Sequence, residues 1–125
     1  MKIITAAVII LTLALAATSV PLAAHHSWPV NTDKLVTVKG TITKVEWGNP
    51  HPMFTIEVSD NGKVETWQIG GPAVTRMQAN GWTKDTLKPG DVVTGRGYQF
   101  SDGQKIIRLE SVVMSDGKEM RVYAR

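Results

Sequence analysis

Apolar and polar residues alternate along most of the chain after residue 35, and the breaks in that alternation are as informative as the alternation itself. Val36, Val38, Gly40 and Ile42 share one parity, whereas Val45 and Trp47 take the other. Leu35 to Trp47 therefore reads as one long strand whose apolar face switches near Thr43-Lys44. A single switch within a strand signals a bulge or a strong bend. Gly40 removes a side chain where such a strand would coil. A strand that serves two faces suits the corner of a small closed barrel.

The next stretch, Met53 to Ser59, sets Phe54, Ile56 and Val58 against Thr55 and Glu57. Asp60-Asn61-Gly62 supplies a hairpin turn tolerant of positive φ. Val64 to Ile69 returns as a third strand, with Trp67 and Ile69 in phase. Gly70-Gly71 then breaks the pattern, and Pro72 suits a first helical position. Ala73, Val74 and Met77 form a short apolar stripe, and Asn80-Gly81 is a helix stop. Trp82 and Leu87 are expected to pack beneath that helix.

Lys88-Pro89-Gly90-Asp91 turns into a strand over Val92 to Phe100, where Gly95 and Gly97 accompany a second parity shift towards Tyr98 and Phe100. Ser101-Asp102-Gly103 is another turn. Lys105 to Met114 is the last long strand, with Ile107 and Leu109 inward, and Glu119 to Tyr123 reads as an edge. The pattern predicts a mainly β fold: a small OB-like five-stranded barrel with one short helix between strands 3 and 4. A different small barrel or roll with an added helix is the alternative.

The first 24 residues do not belong to this pattern. Lys2 precedes an apolar run from Ile3 to Ala17, and small residues follow up to Ala24. That arrangement predicts a secretory signal peptide over residues 1–24. An uncleaved anchor is the competing reading, but the run is shorter than the roughly 20 residues of a spanning helix, and Pro21 would break it. Cleavage is expected after Ala24, with Ser19 as the alternative. The first cut leaves residues 25–125 as a single domain beginning His25-His26-Ser27-Trp28, with no membrane span. The chain has no cysteine, so its core must suffice without disulfides. Export without cysteine suits a bacterial periplasmic or secreted protein.

Charge adds an exclusion. Removing Lys2 takes the basic residues from 14 to 13 against 11 acidic ones. These charges are interspersed from Lys34 to Arg125, whereas binding to a nucleic-acid backbone calls for clustered cations. The charge therefore reads as a solvated surface, and no nucleic-acid partner is expected.

Between the first two strands lies Gly48-Asn49-Pro50-His51-Pro52. Asn49 and His51 both precede prolines and are pushed to extended conformations, while each proline fixes its own φ. His51 is thus displayed on stiff backbone. The His25-His26-Ser27 start, Val36-Thr37-Val38-Lys39-Gly40-Thr41, Glu46-Trp47-Gly48-Asn49-Pro50-His51, Gly81-Trp82 and Leu87-Lys88-Pro89-Gly90-Asp91 together resemble the exported bacterial proteins grouped as domain of unknown function 6152. The likeness spans nearly all of residues 25–125, and the Asn-Pro-His loop is its most specific part. The resemblance implies a small exported bacterial protein and carries no activity with it.

All three histidines fall at two non-strand places. A cut after Ala24 gives His25 both a free α-amine and an imidazole, which together chelate one metal ion. His26 or His51 would add a further nitrogen. Nitrogen-rich tetragonal ligation favours Cu(II), whereas Zn(II) would take imidazoles tetrahedrally. The arrangement is similar to the amino-terminal histidine copper sites of some exported proteins. The opposing readings are a solvated terminus and a His51 that only hydrogen-bonds its own loop.

Trp28 and Asn49 are the candidate ligand contacts beside these histidines, and Glu46 and Glu65 the candidate carboxylate partners. Trp47, Trp67 and Trp82 are expected in the core, with Trp28 the exception. No catalytic motif is present: there is no cysteine nucleophile, and Gly70-Gly71 lacks the Lys-Ser/Thr of a phosphate loop. A non-enzymatic binding protein is expected, with copper as its candidate cofactor. The alternative is an accessory module that contacts an envelope protein or an oligosaccharide without metal, through an exposed tryptophan on the face of strands two and three.

Overall fold

The computed structural model describes residues 28–123. The expected signal segment over residues 1–24, and His25 and His26, lie outside the described residues. Six strands and one helix follow in order: β1 (Val30–Glu46), β2 (Met53–Asp60), β3 (Lys63–Gly70), α1 (Val74–Ala79), β4 (Val92–Phe100), β5 (Ile106–Val113) and β6 (Glu119–Arg121). The sheet order is β3-β2-β1-β4-β5-β6, and β3 also pairs with β5. That last pairing is parallel and closes β1 to β5 into a ring. The fold is therefore the expected OB-like barrel with one helix between β3 and β4, and β6 adds an edge to β5.

β1 bridges the two sides of the ring by pairing with two partners. Its first part runs against β4, from Val30↔Phe100 to Thr41↔Val92. Its last part runs against β2, from Thr41↔Glu57 to Glu46↔Met53. The register slips between Ile42 and Lys44, at the point where the apolar parity changes. A β-carbon on Gly40 would collide with the Glu57 carbonyl oxygen, so only glycine permits the crossing from one partner to the other. The second parity shift also corresponds to a bulge, between Arg96 and Gly97 in β4. The β2–β3 turn has φ of 48° at Asn61 and 80° at Gly62, the positive pair expected of an Asn-Gly hairpin.

Three expectations need correction. β1 begins at Val30 rather than Leu35, because Val30 already pairs with Phe100. Pro72 lies ahead of the helix. Ala73 is its N-cap, with an extended ψ of 146° and no side-chain cap. Trp47 and Trp67 are only half-buried against the core. The physical reason at Trp67 is that the β3–β5 seam starts one residue later, at Gln68, which leaves Trp67 at an open rim.

The core itself is apolar and closed. Ile42, Phe54, Ile56, Ile69, Ile107 and Leu109 point inward from the ring, and Met77, Trp82 and Leu87 cover it from the helical segment. Gly81, with φ of 86°, ends the helix, and the Trp82 amide donates back to the Met77 carbonyl at 3.0 Å. That turn directs the indole under the helix, as its position after the helix stop predicts.

Candidate functional site

The inward and outward faces of β2 lead to different surroundings. Phe54 and Ile56 are inward and fully buried, so by strand alternation Met53 and Thr55 face away from the core. His51 stands two residues before Met53 on proline-flanked backbone, with the buried Pro52 between them and both His51 and Met53 half-buried. The end of this loop is tied down: the Gly71 amide donates to the Pro52 carbonyl at 2.9 Å. The Asn49–Pro50 bond is cis. Two prolines and one long-range hydrogen bond thus hold the His51 backbone.

Trp28 comes to His51 from the other end of the chain. Their ring centroids are 5.0 Å apart and the planes are inclined at 58°. Trp28 also meets Phe100 edge-on at 5.6 Å. The lead-in is fixed beside β4, because the Ser101 amide and hydroxyl both donate to the Pro29 carbonyl, at 2.8 and 2.9 Å. The Trp28 ring rests on Gly70, where a β-carbon would overlap it. Ile69 points into the core, so Gly70 presents its bare α-carbon to the outer side. An aromatic ring covering such a glycine protects strand backbone from water.

One atom in this outer cluster is unsatisfied. His51 Nδ1 is shielded from solvent and has no hydrogen-bond partner. A buried polar atom left so costs roughly 1–3 kcal/mol, and native folds retain few of them. Beside it a cleft of about 320 Å³ is lined by Glu46, Trp47, Gly48, Asn49, His51 and Met53. This cleft gives the histidine an approach from solvent.

The candidate residues divide accordingly. His51, Trp28 and Asn49 belong to one end of the molecule, with Asn49 exposed on the loop. Glu46 lines the same cleft, but its carboxylate pairs with Lys44 at 3.0 Å. Glu65 serves the β3–β5 seam instead. It pairs with Lys105 at 3.2 Å and accepts the Trp67 indole N–H at 3.3 Å. Those two bonds, Lys105 first, hold its carboxyl below the usual value. Among the described residues, no three His, Asp or Glu side chains gather as a metal site.

Sequence reasoning missed Met53 and Phe100. Met53 carries a local signal, because His51-Pro52-Met53 places imidazole and thioether two apart on extended chain. Phe100 carries none, since its contact with Trp28 joins residues far apart in sequence.

A second cleft, of about 390 Å³, lies between Thr37–Lys39 of β1 and Val58–Asp60 of β2, with Glu65 and Trp67 at its side. Trp67 pairs across from the buried Ile56 and so turns inward at the rim. The outward positions of β2 and β3 include the polar Thr55, Glu57, Thr66 and Gln68 as well as Met53 and the exposed Val64, and none of these carries a ring.

Residues 13–107 match the family of unknown function DUF6152, and the chain belongs to that family. No curated protein matches it significantly. Among solved structures it is similar to Rim1, a mitochondrial single-stranded DNA binding protein from S. cerevisiae, at 8% identity with a TM-score of 0.51. That match covers 66% of this chain and 93% of Rim1. The SSB domain of a Synechococcus sp. protein is similar at 19% identity with a TM-score of 0.41, covering 70% of this chain and 98% of that domain. The likeness to Rim1 is one of fold, and fold alone does not assign function.

Proposed function

We propose that this member of the family of unknown function is an exported, non-enzymatic protein that binds copper through His51 and the histidines ahead of Trp28. The observation that carries the reading is the buried, unpartnered Nδ1 of His51 beside Trp28. A ligating nitrogen needs a lone pair free of other bonds, and no hydrogen bond occupies this nitrogen. His26 and His25 precede Trp28 by two and three residues. A chain spans at most about 3.3–3.6 Å per residue, so the tether allows both imidazoles, and the amine created by cleavage after Ala24, to join His51 at one ion. Nitrogen ligands in that number favour Cu(II) over the other divalent first-row ions.

The test is a Cu(II) titration followed by EPR on protein with an authentic His25 terminus, whose intact mass fixes the first residue. The expected result is one tight site with nitrogen hyperfine structure, weakened by a single extra residue ahead of His25 and by His51→Ala. Equal, weak binding in all three proteins would sink the reading.

A second reading keeps the metal-free alternative, an accessory module for an envelope protein or oligosaccharide. The half-buried Trp67 beside the second cleft favours it. It predicts quenching of Trp67 fluorescence by such a partner, with no dependence on copper. Single-stranded DNA, bound by the yeast neighbour, fits less well. Base stacking needs exposed rings on the binding face, and the outward residues of β2 and β3 have none.

A further inference from the structure

We infer that the His51 site, besides the Cu(II) of the reading above, also takes Cu(I), with the Met53 thioether as a ligand and the Trp28 indole against the ion. The inference rests on the copper reading above and deepens it. Three observations support it.

First, Met53 is on the correct side. Alternate residues of extended chain share a face, Pro52 between them has its φ locked, and the Pro52 carbonyl is held by Gly71. His51 and Met53 line one cleft.

Second, the sulfur and the indole converge. Met53 Sδ is 2.7 Å from the point where a Gly70 β-carbon would sit, and the edge of the Trp28 ring is nearer still to that same point. The absence of a side chain at residue 70 is what lets thioether and indole approach each other, and His51 meets the same indole at 5.0 Å between ring centres. Imidazole and thioether thus both adjoin the Trp28 ring, and the buried Nδ1 of that imidazole has no partner.

Third, the chemistry of this set is soft. Thioether ligands select Cu(I) among the metals discussed, and an indole face attracts a monovalent cation within about 6 Å of its centre. Glu46, the one carboxylate lining the cleft, has one oxygen paired with Lys44 at 3.0 Å. Methionine's three rotatable bonds let its sulfur adjust to an ion without moving the backbone.

The bland explanation is that Met53 only fills the space above Gly70. The two accounts separate in one experiment on the mature protein. Cu(I) affinity is measured anaerobically by competition with bicinchoninate for wild type, Met53→Leu and Met120→Leu. Leu replaces Met at similar volume and at a stability cost under about 1.5 kcal/mol, and circular dichroism checks that each variant folds. The expected result is a loss of at least about tenfold in Cu(I) affinity for Met53→Leu alone. Quenching of the emission that wild type has and Trp28→Phe lacks should accompany Cu(I) binding.

Unchanged Cu(I) affinity in Met53→Leu overturns this inference. If wild type still gives the Cu(II) EPR signal, the broader copper reading survives that result. Wild type that binds neither oxidation state overturns both.

Discussion

Two aromatic clusters begin from neighbouring residues of β2 and end in opposite conditions. Phe54 turns inward and meets Trp82 at 6.2 Å between ring centres. Both rings are fully buried, and the Trp82 indole N–H donates to the Arg121 carbonyl at 2.8 Å. The Asn80 amide beside it donates to the carbonyls of Arg76 and Val122. Met53, one residue away, faces the outer cluster of Trp28, His51 and Phe100. There the rings are half-buried and the imidazole nitrogen is buried without a partner. Folding alone accounts for the inner cluster, since it removes apolar area from water and satisfies each polar group named here. The outer cluster leaves an unsatisfied atom that a bound cation would satisfy.

The contrast is broken most severely from the inside. Trp82→Ala should cost about 3–5 kcal/mol, a large part of the ~5–15 kcal/mol typical of a domain. Urea unfolding reads it directly, and the copper affinity of the molecules that remain folded should not change. A drop in that affinity would mean the two clusters are one unit. The next effect is at the outer cluster's floor. Gly70→Ala forces a methyl into the space of the Trp28 ring and the Met53 sulfur, and overpacking of this sort costs about 1–3 kcal/mol. Here stability and copper binding should fall together, with a shift of Trp28 emission to longer wavelength as the ring is displaced into water.

His51→Leu sharpens the comparison by separating the two properties. An apolar group in place of an unsatisfied buried nitrogen removes a desolvation cost of about 1–3 kcal/mol. Stability in urea should therefore hold or rise, while copper affinity falls at least about tenfold. A loss of stability would show that His51 is a structural residue with a bonding role, and the comparison between clusters would lapse.

The inner cluster was far more legible in the sequence than the outer one, for a physical reason. Phe54 and Ile56 obey strand alternation, and Trp82 follows a helix stop. The switch at Thr43-Lys44 marks the bulge because a slip of one residue exchanges the faces of a strand. These are local rules, and the ring of strands follows from them. The outer cluster depends on Trp28 crossing to His51 and Gly70 through the pairing of β1 with β4, which no local pattern states. His51 was found because prolines and histidine are conspicuous in sequence. In sequence Met53 reads only as the start of a strand, since its outward parity gives it no role in the core. Gly70 reads in sequence as a break in the pattern, whereas in the fold its bare α-carbon is the floor on which Trp28 rests.

Trp67 tests the comparison from a third position and with the smallest effect. Like Trp28 it is half-buried, yet its indole N–H donates to Glu65, which also pairs with Lys105 across the β3–β5 seam. This rim tryptophan is satisfied by its own barrel. Lys105 and Trp67 hold the Glu65 carboxyl below its ordinary value of 4.5, because both interactions favour the charged form. The sign of the linkage follows. A carboxyl whose value is lowered on folding contributes stability above its unfolded value, and that contribution is lost as the pH falls through the folded value. Both partners are solvent-exposed, so screening keeps the effect small. Wild type should exceed Glu65→Gln in urea midpoint by a slight margin at pH 6, and the margin should close as the pH falls below 4.5. A margin that does not change with pH would assign the difference to packing of Trp67 rather than to the ion pair. Trp67 would then join Trp28 as a half-buried ring whose polar surroundings do not stabilise the fold.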